Sequence, residues 1–131
     1  MTYDVDTALD ELEGRAWEIA QTVRRGIKAA APYAEAGFAF GHPTWFLHSR
    51  VLSLVPMGKR CKLYFWDGAA VERHVGMRMQ GGGSEIRYIV LESMLDVNAE
   101  VLDLISAAFQ VQIERLAASE SRVPRKASLP A

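Results

Sequence analysis

Asp6, Asp10 and Glu13 are spaced four and three residues apart. On a continuous helix that spacing puts all three on one face, with Trp17 following. Carboxylate oxygens bind hard cations, so the trio is a candidate metal site. The same residues suit a helix start without any metal, because acidic side chains are favoured at the positive end of its dipole. If Thr7 caps this helix, Asp6 leaves the shared face. His42, His48 and His74 lie in the same chain as Cys61, Asp67 and Glu72, and together they offer borderline and soft ligand atoms. No CxxC, HxxxH or HExxH spacing joins them, and His42 in Gly-His-Pro reads most simply as a turn residue. Cys61 stands between Arg60 and Lys62. A nucleophilic thiol needs a lowered pKa and a base, and a buried, inert cysteine is the commoner case. The glycines at 81–83 lack the helix that completes a phosphate loop; a strand is expected after them, so they read as a flexible connection.

Lys62, Tyr64 and Trp66 alternate along an extended stretch, and Arg87 is expected to join them on one sheet face. Basic and aromatic residues on a sheet suit single-stranded nucleic acid, and they also suit an ordinary half-wetted face. No RNP-like motif is present and the net charge is −1, so nucleic acid is not the expected partner. A small-ligand pocket between this face and the loop from His74 to Ser84 is the alternative. Its expected residues are His42, Trp45, Tyr64, Trp66 and Arg87.

These side chains must be positioned by a sheet. From Phe38 to Gly68 the chain alternates apolar residues, with a Gly41-His42-Pro43 corner and Gly58-Lys59 between two apolar runs. Phe38 and Phe40 are expected on one side of a first strand. Ser49-Arg50 is expected to turn the chain into Val51 to Val55, the most continuously apolar strand and so the central one. Pro56 should stop its pairing. Lys62 to Trp66 and Glu85 to Leu91 follow as strands, with one helical turn and loop from Ala69 to Met79. Before the sheet, Val5, Leu9, Leu12, Ala16, Ala20, Val23, Ile27 and Ala30 recur at helical steps. Thr7 with Asp10 can cap that helix, and Gly14 leaves open one long helix or two. Pro32 ends it. After the sheet, Asp96 or Asn98 can cap a last helix, with Leu102, Ile105, Phe109, Ile113 and Leu116 as its buried stripe. Leu104 and Val111 then lie off that stripe, most simply as isolated surface apolar residues, and otherwise as a small second patch that could meet another subunit in a homodimer.

The chain has 131 residues, 50% hydrophobic and 24% charged, which suits one soluble domain with a modest core. The division expected is a single domain over 1–118 and a disordered tail over 119–131, which holds two prolines and no periodicity. A lone cysteine, an acidic N-terminal stretch and no long apolar run favour a cytoplasmic protein without leader or membrane span. Hairpin-length connections force antiparallel pairing. The expected fold is α+β: an antiparallel sheet of about five strands with the N- and C-terminal helices packed on one face.

Three segments carry a family likeness. Phe40-Gly41-His42-Pro43-Thr44-Trp45 resembles the aromatic-Gly-x-Pro corner of the bacterial YdhG-like domains. Leu63-Tyr64-Phe65-Trp66-Asp67-Gly68-Ala69 is similar to that family's strand ending in Gly-Ala, and Ile86 to Leu91 to its last strand. The likeness spans about residues 5–116 and implies a frataxin-like arrangement of sheet and helices. One branch of the family is described as a frataxin-mimicking iron chaperone, so the resemblance implies iron as a ligand, with Asp6, Asp10, Glu11 and Glu13 the matching acids. Arg15, Arg24, Arg25 and Lys28 share that helix and depart from the acidic pattern. The function expected is non-enzymatic binding of a metal ion or small ligand, with a protein-interaction module as the alternative.

Overall fold

Asp4 starts the first helix. Its carboxylate accepts hydrogen bonds from the Thr7 amide and the Thr7 hydroxyl, both at 2.8 Å. The cap is therefore Asp4 and not Thr7, because Asp4 reaches the free amide one turn ahead. The computed structural model describes residues 3–121. Helix α1 spans Val5–Asp10 and α2 spans Gly14–Ala30. Gly14 has φ +57°, a left-handed value that suits glycine, so the chain breaks there into two helices. Val5 and Leu9 of α1 are buried, as are Ala16, Ile19, Ala20, Val23 and Ile27 of α2. Ala31, before Pro32, leaves the helical conformation (φ −143°, ψ 70°) and ends the helix.

Five strands follow: β1 (Glu35–Ala39), β2 (His42–Leu47), β3 (Ser49–Met57), β4 (Arg60–Phe65) and β5 (Arg87–Leu91). Their order in the sheet is their order in the chain, and every neighbouring pair is antiparallel. The apolar β3 is the central strand. Short turns make this meander, but two lie elsewhere than the sequence suggests. Phe40 (φ 52°) and Gly41 (φ 80°) form the β1–β2 turn, so His42 and Pro43 belong to β2. Both positive φ values match the primed turns that follow strand twist. His48 (φ 69°) alone turns β2 into β3, where Leu47 pairs with Ser49. Gln112 holds this corner by donating to Leu47 O (2.7 Å) and Ser49 Oγ (2.8 Å).

Pro56 does not end pairing: it opposes Cys61, and Met57 opposes Arg60. The hairpin pair Met57–Arg60 points its polar groups at β4, so the Pro56 nitrogen points the other way. There β2 has already ended, since its ladder with β3 begins at Thr44–Ser53. Between Trp45 and Phe46 the register slips, leaving Val51 as an extra residue on β3. This bulge lets Val51 and Leu52 both face inward.

The inner face carries Trp45, Leu52, Leu54, Cys61, Leu63, Phe65 and Leu91, all buried. Helix α3 (Gly68–Val75) and helix α4 (Ala99–Ser121) join α1 and α2 in covering it. Helix α3 has two turns rather than one, and Gly76 closes it in the left-handed conformation (φ 80°). Asn98 caps α4 by accepting from the Val101 amide (3.1 Å), whereas Asp96 serves the short 3-10 turn Met94–Asp96.

The buried side of α4 is rotated from the expected stripe. Ile105 and Phe109 are buried, but so are Val101, Leu104, Ala107, Ala108 and Val111. Leu102 and Ile113 are 39% and 38% exposed. The reason is that α3 packs along α4, so α4 is covered from two sides. Leu104 and Val111 are core residues, and a subunit interface built on them is excluded. Residues 119–121 continue α4 instead of opening a tail; 122–131 lie outside the described residues. Among the described residues no helix is long and apolar enough to cross a membrane.

Candidate ligand site on the open face of the sheet

Strand register decides which residues share the face away from the helices. Thr44 opposes Ser53, Ser53 opposes Tyr64, and Tyr64 opposes Tyr88. These four therefore line up across one face, flanked two residues along by His42, Val55 and Lys62. Trp66 follows β4 on the same side, where its indole N–H donates to Ser53 Oγ at 2.8 Å.

Thr44 and Ser53 are 0% and 2% exposed, and their hydroxyls lie 2.6 Å apart. Thr44 donates to His42 O at 2.9 Å. Its proton is thus committed, so Ser53 must donate to Thr44. The chain runs one way, from Trp66 through Ser53 and Thr44 to the His42 carbonyl. Every hydrogen in it is used, which satisfies two buried hydroxyls and leaves no donor free at the floor.

Above that floor stand rings. Phe40 stacks on Trp66 with centroids 5.7 Å apart, and Tyr64 meets Tyr88 at 5.3 Å. The Arg50 guanidinium lies over both Trp66 (4.1 Å) and Phe40 (5.4 Å). Lys62 Nζ lies 4.5 Å from the Tyr88 ring centre. Ala39, Phe40, His42, Ser53, Val55, Tyr64, Trp66 and Ile86 enclose a pocket of about 210 Å³. Among the described residues no carboxylate lines it.

Three of the five residues expected here meet in this pocket: His42, Tyr64 and Trp66. Trp45 does not; it opposes Leu52, faces the helices and is 5% exposed. Arg87 does not either. It opposes Phe65, so it faces the helix side of the sheet. There its Nε donates to Glu72 Oε1 at 3.0 Å and its Nη1 to the Gly83 and Ile86 carbonyls. Glu72 also accepts from the Met79 amide at 2.6 Å. That amide first, then Arg87, holds the Glu72 carboxyl below its ordinary pKa. The pair fixes the loop before β5 rather than a ligand. The residues not anticipated are Phe40, Ala39, Ser53, Val55 and Ile86 in the lining and Arg50 beside it. Phe40-Gly41 as a turn dipeptide was the available signal for the first.

The acidic trio is divided. Asp6 and Asp10 are brought together, but on Arg24, at 2.9 and 3.4 Å. Glu13 lies outside α1 as the N-cap of α2, in a shallow hollow with Arg15 and Lys59. Among the described residues no group of three or more His, Cys, Asp or Glu is placed to hold a metal ion.

Cys61 is fully buried on the inner face, with Sγ 3.9 Å from Ala16 O. Burial pushes its pKa up to about 11. Thiol labelling at neutral pH is therefore expected to be slow in native buffer and fast in denaturant, reporting the opening of the core. Rapid native labelling would contradict this placement. Asp67 is likewise raised by burial, against the opposing pull of Arg115 2.7 Å away.

Comparison with family models, with curated protein sequences and with solved structures found no match.

Proposed function

We propose that the chain is a non-enzymatic binding domain that takes a small, flat organic molecule on the open face of its sheet. The observation that carries this reading is Phe40. It is 76% exposed and held at φ 52°, where a side chain costs about 1–2 kcal/mol. Asparagine or glycine would serve the turn better. A bulky ring kept there at a conformational cost, stacked on Trp66 and walling a pocket, points to use rather than folding. The three segments that resemble YdhG-like domains supply Phe40, His42, Tyr64, Trp66 and Ile86 to that pocket. The likeness thus falls on the same surface.

Iron, implied by the resemblance, has less support. A cation at Asp6 and Asp10 would have to displace Arg24 from both carboxylates. The Thr44 and Ser53 hydroxyls are committed to one another and to the His42 carbonyl, so neither is poised as a nucleophile.

Phe40→Gly tests the reading. Glycine suits the positive φ, so the variant is expected to melt no lower than the parent. Screened by ligand-observed NMR against one-ring and fused-ring fragments, the parent should bind a subset that Phe40→Gly binds at least about tenfold more weakly, a loss of about 1.4 kcal/mol. Equal binding by the two proteins, or no fragment bound by either, would defeat the proposal.

A further inference from the structure

The pocket's surroundings select among flat molecules. We infer that its ligand is an aromatic carboxylate, one ring or a fused pair, with its anionic group met by Arg50. This rests on the reading of the pocket as a ligand site.

Size comes first. A volume of about 210 Å³ lies below the roughly 300–1,000 Å³ of drug-sized sites, which leaves room for one or two rings. The walls come next. Phe40, Tyr64 and Trp66 offer ring faces, Val55 and Ile86 offer aliphatic surface, and the hydroxyls beneath have no proton to give. Acceptors turned toward that floor would go unmet, so the ring surface laid on it is apolar.

Charge comes last. Arg50 touches two of the wall residues, Trp66 and Phe40, through its guanidinium face. Lys62 sits over Tyr88, beside Tyr64. Neither enters an ion pair among the described residues, whereas Arg24, Arg60, Arg87 and Arg115 each do. Asp67 shares a small crevice with Arg50, yet its carboxylate pairs with Arg115 at 2.7 Å. Arg50 against the pocket wall, and Lys62 farther along the same sheet face, thus stand beside a pocket that no acid among the described residues lines, which makes a one-sided field. The planar fork of Arg50 matches a carboxylate's two oxygens.

The test uses indole-3-carboxylate, its neutral amide, a nucleoside monophosphate and a short oligothymidylate as probes, followed by calorimetry on the intact chain. The acid should bind at least about tenfold more tightly than the amide. Arg50→Gln should remove that preference, weakening the acid about tenfold while leaving the amide unchanged. Arg50 is exposed, so an unaltered melting temperature is expected and would show the variant folded. Acid and amide binding equally, with both lost in Phe40→Gly, would overturn the anion and leave the pocket reading intact. Binding of neither, while neutral fragments still distinguish Phe40→Gly from the parent, would do the same. A monophosphate preferred over the carboxylate would replace the acid by a nucleotide. An oligonucleotide bound far more tightly than the monophosphate would replace the small ligand by a single strand.

Discussion

Leu104→Asp is expected to leave the chain unfolded at 25 °C, whereas Leu102→Asp is expected to fold. Leu104 is 2% exposed on the side of α4 turned to the core, among Val101, Ala107, Ala108 and Val111. Losing a buried leucine costs about 2–5 kcal/mol, and a carboxylate with no partner in that place adds several more. The sum approaches the roughly 5–15 kcal/mol that holds a small domain together. Leu102 is 39% exposed and lies in the first turns of α4, just after the Asn98 cap. An acidic residue there gains from the helix dipole, which offsets part of the contact it loses with α2. Its cost should stay near 1 kcal/mol or below. Circular dichroism with urea titration separates the two. Because the expected stripe on α4 put Leu102 inside and Leu104 outside, the opposite outcome would restore that stripe and with it the case for a subunit interface.

That stripe illustrates where the sequence runs out. Helix α4 is apolar around most of its early circumference, so two neighbouring arcs satisfy the helical period equally well. What chooses between them is α3, which lies upstream of β5 in the chain and packs along α4. The segment after Asp67 gives too weak a pattern to announce a two-turn helix. The central β3, by contrast, was legible because Val51 to Val55 is apolar at every position but Ser53, and the Gly58-Lys59 turn because it separates two largely apolar runs. The break at Gly14 was legible as one of two options, and the left-handed backbone there selects it.

The site was legible in proportion to parity. Tyr64 and Trp66 lie two apart on one extended run, so their shared face follows from period two alone. His42 joins them only once β2 is known to begin at His42. The same parity then removes Trp45, an odd step away, to the helix side. Arg87 fails for a related reason. The loop between α3 and β5 does not fix the strand's register from sequence, and a slip of one residue exchanges its faces. Here Phe65 opposite Arg87 settles it, and the arginine turns to Glu72. The acidic trio failed on continuity, since a face shared by Asp6 and Glu13 exists only if the helix does not break between them.

Gly68→Ala should be as damaging as a core deletion, although it adds a single methyl group. Gly68 begins α3 directly against β5. A β-carbon there would lie 2.6 Å from Arg87 Cγ and 2.7 Å from the Arg87 backbone nitrogen. A side chain can turn aside, but a strand backbone cannot without loosening its ladder. The neighbouring hydrogen bond from the Ala69 amide to Glu85 O, at 2.8 Å, holds the two segments at that separation. Relief therefore requires α3 and β5 to part, and Arg87 to move with them. That would strain its pairing with Glu72 and, through Glu72, the Met79 amide. Overpacking costs about 1–3 kcal/mol where neighbours can adjust, and the backbone contact places this case at the upper end or beyond. The measurement is chemical denaturation together with amide exchange. Stability should fall by about 3 kcal/mol, and the amides of β5 should exchange faster while those of β2 and β3 keep their protection at matched stability. Gly82→Ala is the control, since open space surrounds that position, and it should be nearly silent. A silent Gly68→Ala would mean that α3 does not sit on β5 at this distance, and the clip that orients Arg87 away from the open face would lose its anchor.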